Sequence, residues 1–159
     1  MTSIDIEAGL AGFFAQGHRD CDARWAEVEE LLDSTKAEIV GTDPAADAWQ
    51  KFDDCMRRHF AMEEDVLFPA FESRSGMGGG GPTAMMKMEH QQMRGLLDQI
   101  GAAMDSGETA DALDIGDTLL MLIQQHNVKE EGMLYPMAEN MLAGEWAVLA
   151  GQLERYQGQ

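Results

Sequence analysis

Residues 59–72 read HFAMEEDVLFPAFE, and residues 126–139 read HNVKEEGMLYPMAE. Aligned without a gap, the two stretches share the histidine, both glutamates of the EE pair, the leucine, the proline and the closing glutamate, and Phe68 is matched by Tyr135. This is an internal repeat whose core is His-x-x-x-Glu. A helix turns about 100° per residue, so positions four apart sit about 40° apart and about 6 Å along the axis. Each copy therefore projects an imidazole and a carboxylate from one face, His59 with Glu63 and His126 with Glu130, able to hold a metal together. His18 lies upstream of the first copy and His90 upstream of the second, and these complete the chain's four histidines.

Working outward from the repeat, apolar residues recur at alternating steps of three and four, the pattern of a bundle-facing stripe. The first helix is expected over residues 6–39, with Phe14, His18, Cys21, Trp25, Val28 and Leu32 on its stripe. Gly41-Thr42-Asp43-Pro44 breaks it, and Asp43 is placed to cap a second helix that has Pro44 as its first residue. That helix is expected over residues 44–72, with stripe Ala48, Phe52, Cys55, His59, Glu63 and Val66, and with a kink or an early end at Pro69. Residues 73–82, which include Gly76 and Gly78 through Gly81, read as a flexible connector.

A third helix begins near Thr83 with stripe Met86, His90, Met93, Leu97, Ile100 and Met104, and Ser106-Gly107 ends it. A fourth is expected over residues 109–139, with Ile115, Leu119, Leu122, His126, Glu130, Met133 and Met137 on one face and Pro136 mirroring Pro69. Beyond Gly144 a short amphipathic helix carries Trp146, Leu149, Leu153 and Tyr156. No segment sustains strand alternation. The fold class is all-α: an antiparallel up-down four-helix bundle with a short additional C-terminal helix, residues 1–159 forming one domain. In that arrangement the four histidines fall on four inward stripes, one per helix.

The net charge of −18 repels nucleic acid and anionic membranes, and neither is expected as a partner. The opening MTSIDIEAGLAGFF is a poor secretory signal, and no stretch approaches a membrane span. Two cysteines in a chain of 159 residues make no disulfide framework, so a reducing cytoplasm is the expected setting.

Four imidazoles and two carboxylates inside a bundle suit a pair of iron ions, since iron accepts both donor types in octahedral geometry. Two bridging carboxylates and four nitrogens supply about eight of the twelve positions of two six-coordinate ions. Water, hydroxide, an oxo bridge or a small gas would complete them. A single tetrahedral zinc uses fewer ligands and explains the repeat less well. A lone His-x-x-x-Glu is ordinarily a helix-surface pair. Here all four histidines lie on stripes expected to be buried, and burying them with two carboxylates to no purpose would cost several kcal/mol.

The order His18, His59-x-x-x-Glu63, His90, His126-x-x-x-Glu130 resembles the H–HxxxE–H–HxxxE pattern of hemerythrin-like (HHE) cation-binding domains, as do EEDVLFP and EEGMLYP. The resemblance implies a four-helix bundle holding a non-haem di-iron centre that binds, carries or senses dioxygen or nitric oxide. His18, His59, His90 and His126 resemble the terminal ligands, and Glu63 and Glu130 the bridges. Other members act as di-iron redox enzymes of oxidase or peroxidase type, in iron-centre repair or in iron homeostasis, so peroxide is a second candidate ligand. Oxygen-carrying hemerythrins have a fifth histidine in a His-x-x-x-His pair on the third helix; here Met86 and Arg94 stand four residues either side of His90. That leaves a position for water or an exogenous ligand. The carriers also place the last bridge five residues after the helix-four histidine, where Glu131 stands; symmetry with Glu63 selects Glu130, with Glu64 and Glu131 facing away. The resemblance does not identify a protein partner.

Met62, Met93 and Met133 are expected to pack near the site rather than ligate. Tyr135 is assigned a packing role by its match to Phe68, and Arg57, Arg58 and Lys129 are expected to be solvated or paired with acidic groups. Cys21 and Cys55 lie about one turn, roughly 5 Å, from the histidine layer. They are expected to be small buried hydrophobes, with a redox pair as the alternative.

Overall fold

Asp43 begins the second helix as its position before a proline dictates: its Oδ1 accepts from the backbone N–H groups of Ala45 (3.1 Å) and Ala46 (3.3 Å). The computed structural model describes residues 4–33 and 43–157. Within them run α1 (Gly9–Asp33), α2 (Pro44–Met62), α3 (Phe68–Ser75), α4 (Pro82–Asp105), α5 (Thr109–Lys129), α6 (Tyr135–Met141) and α7 (Trp146–Leu153). The expected end of the first helix near Ile39 and the break at Gly41-Thr42 lie outside the described residues. Among those residues there is no strand, and no helix is long and apolar enough to cross a membrane.

Both prolines of the repeat lie within continuing helix, so of the two expectations for Pro69 the early end is not met, and the irregularity lies just ahead of each proline. A π-helical turn, Glu63–Leu67, joins α2 to α3, and an equivalent turn, Glu130–Leu134, joins α5 to α6. In each, the N–H just before the proline reaches back five residues: Phe68 to the Glu63 carbonyl, Tyr135 to the Glu130 carbonyl. The wider turn opens the helix where a proline ring, with no N–H to donate, would press on the carbonyl four residues back. The chain thus makes four long rods: α1, α2 with α3, α4, and α5 with α6.

The rods form an antiparallel up-down bundle with α7 added at one end. Trp25 packs on Phe52 (ring centroids 5.0 Å apart) and His18 on His59 (4.8 Å), so α1 and α2 run in opposite directions. Phe60 stacks on His90, while Trp49 lies beside Gly101, so α2 and α4 are antiparallel as well. Trp25 against Gly116 and His18 against Glu130 give the same relation between α1 and the fourth rod.

Two apolar clusters fill the interior. One, around Phe14, Leu67, Phe68, Phe71, Leu134 and Trp146, is closed by α7. The other, around Trp25, Phe52, Phe60, Leu97, Ile100 and Leu119, fills the opposite half. Each large apolar side chain so buried contributes about 1.5–3 kcal/mol. The histidines lie between the two clusters. On the fourth rod the expected face is corrected: Ile123 is buried in place of the half-buried Leu122, and Met133 is 52% exposed. The π turn causes the second difference, because the extra residue rotates Leu134 and Tyr135 inward where a regular helix would place Met133.

Candidate metal centre

All six residues singled out from the repeat meet in the middle of the bundle, and each is buried. Ligand-capable atoms of Glu63, His90, His126 and Glu130 lie within 4.8 Å of one another, and those of His18, His59 and Glu130 form a second such group. The imidazoles pair off, His18 with His59 and His90 with His126, with ring centroids 4.8 and 4.9 Å apart. Each carboxylate spans the two pairs. Glu130 Oε1 lies 3.0 Å from His18 Nε2 and 2.9 Å from His126 Nε2. Glu63 Oε1 lies 3.4 Å from His59 Nε2 and 3.3 Å from His90 Nε2.

The outer ring nitrogens have their own partners. His18 Nδ1 is 2.8 Å from Glu131 Oε2, His90 Nδ1 is 2.6 Å from Glu64 Oε2, and His126 Nδ1 is 2.8 Å from Glu89 Oε1. Donation from Nδ1–H to a carboxylate leaves the Nε2 lone pair directed at the centre, the usual way an outer carboxylate orients a metal-binding histidine. Glu64 is also held by Arg94 (2.9 Å), and Glu89 by Lys129. Glu64 and Glu131 therefore do not simply face away: they point out of the centre and grip two of its imidazoles. Glu89 was not legible as a site residue, because it sits beside His90 in sequence but serves His126 on the neighbouring helix. Arg57 bonds Asp53 and Asp98, as expected of a surface cation.

His59 is held differently. A Cβ on Gly17 would lie 2.6 Å from His59 Nδ1 and 2.8 Å from Cε1, so α1 approaches the ring as closely as a glycine permits. Gly17→Ala must push this imidazole off its position. Bound metal should fall, with helix content by circular dichroism unchanged, because Ala is the better helix former.

Tyr135 has a different role from packing. Its hydroxyl donates to Glu63 Oε2 (2.8 Å) or Glu130 Oε1 (3.1 Å) and lies 3.1 Å from His18 Nε2 and 3.3 Å from His59 Nε2. In a regular helix Tyr135 would stand about 140° round from Glu130. The π turn brings the two side chains together. At the matching position, Phe68 is fully buried and stacks on His90 with centroids 5.7 Å apart.

Electrostatically the cluster is unsettled without a cation. Burial, with the neighbouring imidazoles, holds His59 down at about 3 despite Glu63. Burial also pulls on His90, but its bonds to Glu63 and Glu64 outweigh that and raise it to about 9. Burial and the Glu130 charge hold Glu63 above the usual carboxylate range. Burial opposes ionisation of Glu130 too, yet its bonds with Glu63, His126 and His18 keep it below that range. Burial and both carboxylates push the Tyr135 phenol up, so it stays protonated. Glu63 Oε1, Glu130 Oε2, His90 Nε2 and His126 Nε2 are buried and make no hydrogen bond of good geometry among the described residues, close as the rings and carboxylates lie. Each such atom costs about 1–3 kcal/mol, a cost that coordination to a cation removes. The donor set, imidazole plus carboxylate, suits iron.

The sequence matches the model of the hemerythrin HHE cation binding domain over residues 11–138. No curated protein and no solved structure gives a significant match. That match spans all six central residues and most of the four rods, and the buried histidine–glutamate cluster is of the kind that holds metal cations. The chain belongs to the hemerythrin HHE cation-binding family.

Proposed function

We propose that the centre holds two iron ions, one at the His18–His59 pair and one at the His90–His126 pair, with Glu63 and Glu130 bridging them, and that it takes up dioxygen or nitric oxide. The observation that carries this reading is that each carboxylate spans both histidine pairs. Iron held by these six residues would supply redox-active Lewis-acid chemistry toward a small ligand. The chain's own residues do the rest. Glu131, Glu64 and Glu89 fix three imidazole planes. Met56, Phe60, Met93 and Ile123 wall a cavity of about 10 Å³ that abuts His18, His59 and His126. A space of that size admits no more than about one water-sized molecule, which disfavours bulky ligands. Anaerobic loading with ferrous iron followed by nitric oxide or oxygen tests the proposal. The expected result is a charge-transfer spectrum that is lost when the gas is removed, and a spectrum indifferent to either gas would overturn it.

Tyr135 favours a second reading, a di-iron redox enzyme consuming peroxide. Its hydroxyl keeps a proton 2.8 Å from Glu63 inside the centre, where a reacting oxygen species needs one. Tyr135→Phe keeps the ring and removes that proton. If the chain turns over peroxide, the substitution should lower kcat by about 10²–10⁴-fold while iron content holds. An unchanged kcat would assign the hydroxyl to packing, and a protein with no multiple turnovers at all would leave gas binding as the function.

A further inference from the structure

We propose that Cys55 and Cys21 form a dithiol site that reduces hydrogen peroxide or a small hydroperoxide, with Cys55 as the attacking thiol and Cys21 as the resolving one. The antiparallel register that sets His18 against His59 and Trp25 against Phe52 brings Cys21 opposite Cys55 across the α1–α2 interface. Both thiols are free and share a hydrogen bond. Both line a cavity of about 440 Å³ together with Gly17, Arg24, Arg58 and His59. The two sulfurs are not equivalent. Cys21 is 4% exposed, whereas Cys55 is half-buried. The hydrogen bond from Cys21 draws the Cys55 thiol toward ionisation; burial and the Asp20 charge oppose it, Arg58 and Arg24 assist, and the net direction is toward the thiolate. The same bond, with burial, holds Cys21 in its thiol form. A thiolate is the nucleophile in such chemistry, and cationic neighbours with partial exposure mark the reactive member of a pair.

The step balances without the metal. The Cys55 thiolate attacks one peroxide oxygen, the O–O bond breaks, and with one proton taken up water leaves, giving a sulfenic acid at Cys55. The Cys21 sulfur then attacks the Cys55 sulfur. The S–S bond forms, the S–O bond breaks, and the Cys21 proton leaves with the hydroxyl as a second water. The dithiol has lost two electrons and the peroxide has gained them. A dithiol reductant restores both thiols by exchange. His59 lines the same cavity, so one member of the histidine cluster borders the thiol site.

The test treats full-length chain, metal-loaded and metal-free, with one equivalent of hydrogen peroxide. In both forms the two thiols should disappear together, intact mass should fall by about 2 Da, and the peptides containing Cys21 and Cys55 should be linked within one chain. Cys21→Ser should stop the reaction at a sulfenic acid on Cys55 that a dimedone-type reagent traps. Cys55→Ser should react at least about tenfold more slowly, because the buried thiol lacks access. Two free thiols after the treatment would overturn the proposal, as would oxidised protein without the intrachain link. Equal reaction rates for the two single variants would overturn the assignment of attacking and resolving thiols. If either variant fails to fold, the mass and linkage of the unsubstituted chain still decide. A result confined to the metal-loaded form counts against it, because the thiols need no iron.

Discussion

Glu130→Ala is expected to take bound iron from about two ions per chain to near zero, and Glu63→Ala to do the same, because in the proposed centre each would be a bridge common to both metal positions. The geometry makes the two equivalent. Glu130 Oε1 faces His18 and His126, Glu63 Oε1 faces His59 and His90, and neither histidine pair keeps both carboxylates when one is removed. The informative comparison is Glu131→Ala. Glu131 lies next to Glu130 in sequence, but its carboxylate grips His18 Nδ1 from outside and is 41% exposed. Its removal should leave two iron ions per chain and weaken their binding by about 10–100-fold. Metal analysis after dialysis against graded chelator measures both quantities. Equal loss of stoichiometry in Glu130→Ala and Glu131→Ala would contradict the bridge assignment.

Gly116→Ala is expected to lower stability by about 1–3 kcal/mol, the usual cost of forcing a methyl group into a filled core. A Cβ there would lie 2.2 Å from Cζ2 and 2.5 Å from Cη2 of Trp25, and the indole, 3% exposed, is packed against Phe52. To make room, the indole must shift off its packing against Phe52 or α1 and the fourth rod must separate. For a chain of this length the midpoint of thermal unfolding should fall by roughly 2–12 °C. Gly95→Ala supplies the opposite sign. Nothing lies within 4 Å of its Cβ, and replacing a mid-helix glycine gains about 0.5–1 kcal/mol. Thermal melts of the two variants under one set of conditions check the pair. A Gly116→Ala protein as stable as the parent would mean that Trp25 is not fixed against α5.

The part of the centre that a regular helix governs was legible from residue spacing. His59 to Glu63 and His126 to Glu130 are four-residue steps that end where the π turns begin, so the about 100° rule brings each pair to one face. The stripes through Phe14, His18 and Trp25, and through Met86, His90 and Leu97, are buried as read, because α1 and α4 have no such interruption. At the second π turn that rule fails. It put Met133 inward, although the side chain is exposed, and it gave no reason to aim the Tyr135 hydroxyl at Glu63 and Glu130. The prolines at 69 and 136 were the signal: Pro69 reads as a kink or an early end and Pro136 as its mirror, whereas each follows a wider turn. Glu64, Glu89 and Glu131 were illegible for another reason. Each acts on a histidine of a different rod, and periodicity along one helix carries no information about contacts between helices.

The most direct test of the paired centre is Mössbauer spectroscopy of protein loaded with iron-57 and oxidised, alongside iron and protein assays on the same sample. Two ferric ions per chain joined by Glu63 and Glu130 should give quadrupole doublets without magnetic splitting in an applied field beyond that of the field itself, the mark of an antiferromagnetically coupled pair. Saturation at one ion per chain, or a magnetically split spectrum of isolated ferric ions, would contradict the bridged assignment.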